Sequence, residues 1–316
     1  MSPARSDSSL AAVLLTQRLV KASVAPLKAS EYWDLLARVP DLADLVGADA
    51  ARLVRELGLD AESAERTARL MDAATSLAFE LDNMEQSGVQ VLASVDEGYP
   101  AALLRLGRAA PPLLYAAGDV SPLGTDLLGV VGSRDTNEHA AEIAKGAART
   151  AVANGLGVVS GGAKGVDRLA MNSALDAGGR AVGVLADSLL RTTRDPDVRR
   201  AVTDGTACLC TPYKPSAGFS VPNAMGRNKL IYALSAATFV VTSEIESGGT
   251  WAGATEALRQ RIAPVLVWLG DGAAAGNPRL AGRGALGVAS LEELFPLPAH
   301  APDEPSDPAQ QLAMEV

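Results

Sequence analysis

Apolar positions recur at helical spacing from Leu10 to about Met84. Leu10, Val13, Leu14 and Gln17 begin one amphipathic segment, behind a polar stretch over residues 1–9 that is expected to fray. Trp33, Leu36 and Ala37, followed by Leu42, Leu45 and Val46, predict two short helices around Pro40. Asp49 can cap a helix over residues 50–57 that Gly58 stops, and Asp60 can cap another running through Leu70, Leu77 and Leu81. Short helices with short connections predict a small helical domain over residues 1–87.

After Gly88 the period changes. Residues 89–93 and 113–116 read as short strands, joined through Tyr99-Pro100 and Pro111-Pro112. From Leu127 onwards, apolar runs alternate with Ala-rich helical stretches. The runs at 127–132, 156–160, 180–186, 207–210, 238–242 and 264–269 predict strands. The stretches at 137–154, 164–177, 195–202, 226–235 and 250–260 predict helices. Runs that are apolar throughout belong to parallel strands covered on both faces. The expected fold is α/β: a Rossmann-like, doubly wound, mostly parallel sheet over residues 88–296, behind the small helical domain. Residues 297–316 are rich in Pro, Asp and Glu and read as a disordered acidic tail.

Composition narrows the function classes. Hydrophobic residues make up 48% of the 316 and aromatics only 4%, so the core rests on Ala, Val and Leu. Formal net charge is −9, unlike most nucleic-acid binders, but the charge is uneven. Residues 120–270 carry 15 Lys/Arg against 13 Asp/Glu, leaving 13 against 24 for the remainder. A local positive surface is therefore available in the middle of the chain. Cys208 and Cys210 have neither redox nor zinc spacing and read as reduced thiols on one strand. With two histidines the chain offers no zinc site, and no metal or cofactor is expected. The absence of a membrane-length apolar run and of a secretory leader pattern predicts a cytoplasmic protein without membrane contact.

In open α/β sheets, ligands bind beyond the carboxyl ends of the strands. Four polar or glycine-rich segments fall at such places. In Val131-Gly132-Ser133-Arg134, Gly132 allows close backbone approach, Ser133 offers a hydroxyl, and Arg134 can grip phosphate with two hydrogen bonds. In Ser160-Gly161-Gly162-Ala163-Lys164-Gly165-Val166-Asp167, glycines expose amides and Lys164 adds a point charge. This segment lacks the Walker A and Gly-x-Gly-x-x-Gly spacings, so triphosphate hydrolysis has no support, and Asp167 reads as ordering the loop. Arg227-Asn228-Lys229 offers two cations and an amide, suited to phosphate and base edges. Ser247-Gly248-Gly249-Thr250 offers amides and hydroxyls for a further phosphate or a sugar. Each segment also has a structural reading: a tight turn, an ordered loop, a solvated helix start, a glycine connection without a ligand.

The order of these segments resembles the DprA/Smf DNA-processing family. The resemblance runs through Tyr99-Pro100, Pro111-Pro112, Leu114-Tyr115 and Gly118, then the Ser133-Arg134 and Gly161-to-Asp167 segments. It continues through Ala174-Leu175, Arg227-Asn228-Lys229, Leu234-Ser235, Val240-Val241, Ser247-Gly248, Ala254, Asn277, Leu280 and Gly284-Ala285. It covers roughly residues 89–290. It implies a single-stranded DNA-binding recombination mediator without catalytic chemistry, which protects incoming strands in natural transformation, helps load the RecA recombinase and forms a homodimer. By that resemblance Ser133, Arg134, Lys164, Arg227 and Lys229 line the DNA pocket, and Gly132, Gly161, Gly162 and Gly165 let the strand approach the backbone. The chain departs from the pattern at Ala170-Met171 and around Cys210-Thr211. It also carries Glu244 and Glu246 near the expected phosphate path, where like charge opposes binding.

With so few aromatics, base stacking falls to Tyr213, Phe219 and Tyr232, each of which also has a structural reading. A second reading is a nucleotide sensor or nucleotide-processing enzyme. Gly248-Gly249-Thr250 resembles the Rossmann-like "lonely guy" enzymes that cleave a ribose–base bond. Their pattern has a further glycine and a Glu three residues later, whereas the next helical Glu here is Glu256.

Overall fold

The computed structural model describes residues 5–39 and 41–299. Most of the expected acidic tail, and Pro40, lie outside the described residues.

Helix α1 (Asp7–Thr16) starts inside the stretch expected to fray. Ser6 caps it by accepting from the Ser9 amide at 3.1 Å, and Arg5 donates to the Val91 carbonyl at 3.1 Å. Its polar opening is thus a cap followed by the buried run Ala11 to Leu15. Helix α2 (Ala29–Arg38) is followed by a 3₁₀ turn (Leu42–Leu45) and α3 (Ala50–Leu57). Asp49 caps α3 through the Arg52 amide at 2.7 Å, and Gly58 ends it with φ +64°. The single helix expected through Leu81 is two, α4 (Ala61–Met71) and α5 (Ala74–Gln86). Neither Gly nor Pro marks the break; the Asp72 amide closes α4 on the Ala68 carbonyl.

The nine strands are β1 (Val89–Ala93), β2 (Leu113–Gly118), β3 (Leu127–Val131), β4 (Gly157–Ser160), β5 (Ala181–Val184), β6 (Ala207–Thr211), β7 (Ala237–Val240), β8 (Val265–Trp268) and β9 (Leu286–Val288). Among the described residues they form one sheet in the order β1-β2-β6-β5-β4-β3-β7-β8-β9. From β6 to β9 every neighbouring pair is parallel. β2 is antiparallel to β6, and β1 to β2. The chain winds outwards from β3 in both directions, so β3 and β7 flank the point where connections leave towards opposite edges.

The connecting helices are α6 (Glu138–Ala153), α7 (Val166–Asp176), α8 (Leu189–Thr192), α9 (Pro196–Thr203), α10 (Val221–Leu234), α11 (Gly248–Gln260) and α12 (Asn277–Ala281). β3 shows why both sheet faces are covered. Leu128 and Val130 join the cluster that buries Ala144, Ala147 and Ala151 of α6 and Ala170 of α7. Leu127 and Val131 join the cluster that buries Leu230 and Ile231 of α10 and Trp251 and Ala254 of α11. The N-terminal helices add a third cluster, in which Leu14, Tyr32, Leu53, Leu70 and Leu77 pack with Val91 of β1, Tyr115 of β2 and Met171 of α7. Met171, a departure from the family pattern, is thus a core side chain.

One boundary matters for the site. The helix expected over 226–235 begins at Val221, capped by Ser220, which accepts from the Asn223 amide at 3.2 Å. Pro222 stands in the first turn of α10, where its missing N–H costs nothing. Arg227 and Asn228 therefore stand inside α10, not at a solvated helix start.

Candidate functional site

A cleft of about 450 Å³ opens beyond the ends of β3 and β7. Its walls come from the turn after β3 (131–135), Phe219 with α10 (219–232) and the turn after β7 (242–250).

The turn after β3 is fixed from two sides. The Ser133 amide donates to Thr242 Oγ1 at 2.8 Å, and Thr250 Oγ1 donates to the Gly132 carbonyl at 3.1 Å. A side chain at Gly132 would meet Val166 Cγ2 at 2.6 Å and Thr242 Oγ1 at 2.9 Å. Arg134 emerges from this turn with its guanidinium 5.2 Å from the centre of the Phe219 ring. Phe219 is 49% exposed, and Val221 and Met225 beside it on the same wall are 67% and 38% exposed. An apolar, solvent-facing lip on an otherwise polar cleft is a surface for a flat ring.

Arg227 lines the cleft yet is only 5% exposed, and its Nε has no hydrogen-bond partner among the described residues. Burial pushes its guanidinium down from the usual arginine range, and the charge of Asp167 pulls it back. Asp167 is buried as well. Burial pushes its carboxyl up, and Arg227 with the amides of Ala163 and Gly161 oppose that rise. Tyr232 also lines the cleft, and among the described residues its buried hydroxyl has no hydrogen-bond partner. Buried polar groups are normally satisfied, so unpaired ones on a cleft floor suit a polar ligand.

The third wall starts α11. Ser247 caps the helix by position but makes no side-chain hydrogen bond to it. Gly248 has φ +79° and nothing within 4 Å of where a Cβ would lie, leaving the first amides of α11 accessible from the cleft. Asn228 Nδ2 ties α10 to this wall by donating to the Gly249 carbonyl at 3.1 Å.

The expected residues are therefore gathered unevenly. Gly132, Ser133, Arg134, Arg227, Asn228, Ser247, Gly248, Gly249 and Thr250 all line the cleft. Lys164 and Gly165 line a separate groove behind Arg134, together with Arg168 and Asn172. Lys229 turns away from the cleft and pairs with Glu256 at 2.9 Å, a correction forced by its place on α10 one residue beyond Asn228. Ser160 is fully buried, its hydroxyl donating to the Val130 carbonyl at 2.6 Å and lying against Asp167. Gly161 and Gly165 make room for protein atoms, not for a strand. A Cβ at Gly161 would overlap Arg227 Nη1, and one at Gly165 would overlap the Ser133 and Arg134 carbonyl oxygens. Gly162, at φ +65°, carries the loop between them.

Of the two glutamates expected near phosphate, only Glu244 lines the cleft. Glu246 pairs with Arg283 at 3.4 Å. Of the three aromatic candidates, Phe219 and Tyr232 line it, whereas the Tyr213 hydroxyl donates to the Asn223 carbonyl at 2.9 Å and supports α10. Val221 and Met225 escaped the sequence reading because the helix expected there begins at residue 226, beyond both of them. Among the described residues no cluster could hold a metal ion, and no helix is long and apolar enough to cross a membrane.

Comparisons with known proteins bear on the family and the fold. Residues 90–297 match the family model described as DNA recombination-mediator protein A. A protein of Mycobacterium tuberculosis named as a DprA is 30% identical, over 86% of this chain and 77% of its own length. The DNA processing protein DprA of Bacillus subtilis is 26% identical, over 66% of this chain and 71% of its own. The fold matches the crystal structure of DNA processing protein A from Streptococcus pneumoniae with a TM-score of 0.61 at 21% identity, over 84% of this chain and 96% of that one. It also matches DNA processing protein A of Helicobacter pylori, with a TM-score of 0.54 at 23% identity over 65% and 93% of the two chains. The Helicobacter structure was described for that protein's single-stranded DNA binding mode.

Proposed function

The chain belongs to the DNA recombination-mediator protein A family, and from that premise we propose that it binds single-stranded DNA in the cleft between β3 and β7 and acts as a recombination mediator. The observation that carries this reading is Arg227. A nearly buried guanidinium with an unpartnered Nε forms a cleft wall, Arg134 stands at the mouth, and the open start of α11 faces both. Together they supply fixed positive potential for a backbone phosphate without base-specific chemistry. The single-strand binding described for the Helicobacter relative supports the choice of ligand. Helping a RecA-type recombinase onto the strand, during transformation or repair, and pairing as a homodimer complete the proposal on the family's precedent. So does the division into a helical domain over 1–87 and a sheet domain over 88–296.

Phosphate neutralisation releases counterions, so affinity for a labelled strand should fall steeply as salt rises. Fluorescence titration at two salt levels, against nucleoside monophosphates as competitors, tests the reading. Salt-sensitive strand binding that mononucleotides displace only weakly supports it. Release of free base from a mononucleotide would instead favour the nucleotide-processing alternative.

A further inference from the structure

Glu244, on the turn after β7, is a feature of the cleft that phosphate binding does not explain. It is exposed, it lines the cleft, and among the described residues its carboxylate has neither an ion pair nor a hydrogen bond. Of the nearby carboxylates, Asp167 faces Arg227 and Glu246 is held by Arg283, while Asp135, exposed on the turn after β3, lines the cleft beside Arg134. A free carboxylate on the wall of a phosphate cleft repels the backbone, so a strand must turn its phosphates towards Arg134 and present something else to Glu244. Another wall of the cleft, with Phe219, Val221 and Met225, offers apolar area to the face of a base. The cleft, at about 450 Å³, has room for one nucleotide with its base seated between these two walls.

We propose that Glu244 reads the identity of that base, so that strands bind best where it is guanine and worst where it is thymine. The inference rests on the single-strand reading above and adds selectivity to it. A carboxylate only accepts hydrogen bonds. The pairing edge of guanine carries two adjacent donors, N1–H and the N2 amino group, which match the two carboxylate oxygens. Cytosine and adenine carry one amino donor beside a ring acceptor. Thymine carries one N3–H flanked by two carbonyl oxygens, both of which meet the carboxylate unfavourably. Phosphate contacts would then position the strand while this one contact selects among sequences.

The test is fluorescence anisotropy on the full chain with labelled thymidine strands, the same strands carrying isolated guanines, and strands with hypoxanthine at those guanine positions. Hypoxanthine keeps N1–H and lacks the amino group. Guanine-containing strands should bind about tenfold more tightly than all-thymine strands, with hypoxanthine between them. Glu244→Ala, on an exposed turn, should bring all three together by raising affinity for the all-thymine strand; its thermal midpoint confirms that it folds. Arg134→Ala should weaken all three alike and keep their ratio. Equal binding of the three by the unaltered chain, or a guanine preference that survives Glu244→Ala, overturns the selectivity while leaving strand binding standing. Failure to bind any of them overturns both.

Discussion

The guanidinium of Arg227 occupies the space that a side chain at Gly161 would need: a Cβ at Gly161 would overlap Nη1 and lie 2.6 Å from Asp167 Oδ2. The loop after β4 is therefore glycine at that point because a buried arginine from α10 passes beneath it. Gly161→Ala should displace Arg227 and cost about 2 kcal/mol of stability, the usual scale for overpacking. It should also weaken strand binding although residue 161 does not line the cleft. Urea unfolding and a strand titration on the same preparation check this. A variant with wild-type stability would show that the arginine has room to move.

The Arg227–Asp167 relationship carries a pH dependence. Both groups are buried, and the carboxyl of Asp167 is already pushed up by desolvation, with Arg227 the main influence holding it down. Arg227→Met removes that influence and raises the Asp167 pKa further. A carboxyl raised above its unfolded value contributes fully below that value and loses its contribution as pH rises towards the folded one. The variant should therefore be destabilised more at about pH 8 than at about pH 5, by about 3 kcal/mol at the higher pH, where a charged Asp167 is left uncompensated. Urea midpoints of both proteins across that range measure it. A loss independent of pH would mean that the two groups are not coupled.

Cys208 and Cys210 lie on β6 with no exposed surface, and burial raises both thiols, Cys208 to about 12. The thiolate is the reactive form, so the native chain should leave both unlabelled by a thiol reagent near neutral pH. The same chain in denaturant should label at both. A strand titration after exposure of the native protein to the reagent should be unchanged. Rapid labelling of the native form would place β6 closer to solvent than the fold has it.

The sheet was legible because its physics is periodic. Apolar runs such as 127–131 and 265–268 are strands covered on both faces, and Asp49 and Asp60 announced the helices they cap. The cleft was half legible, since the ends of β3 and β7 could be located and Arg134 and Ser247 follow directly. What sequence could not supply is the direction in which a helical side chain points. Arg227, Asn228 and Lys229 are consecutive, yet one is buried against Asp167, one bridges to α11, and one is spent on Glu256. The glycines misled for a related reason. Close approach was expected from a ligand, but at Gly161 and Gly165 it comes from the protein itself.

That divergence between neighbouring cations yields the sharpest test of the cleft. Arg134 faces it over the Phe219 ring and has no carboxylate partner among the described residues, whereas Lys229 is tied to Glu256 and lines neither the cleft nor the groove behind it. Arg134→Ala should weaken single-strand binding about tenfold, as the loss of a charged hydrogen bond does, and reduce the slope of log affinity against log salt by about one. Lys229→Ala removes the same formal charge from the same protein and should change neither quantity measurably. Because both variants shift net charge equally, a general electrostatic attraction to the surface predicts equal losses. Only binding in the cleft predicts that Arg134 matters and Lys229 does not. Equal weakening in parallel titrations would move the strand out of the cleft.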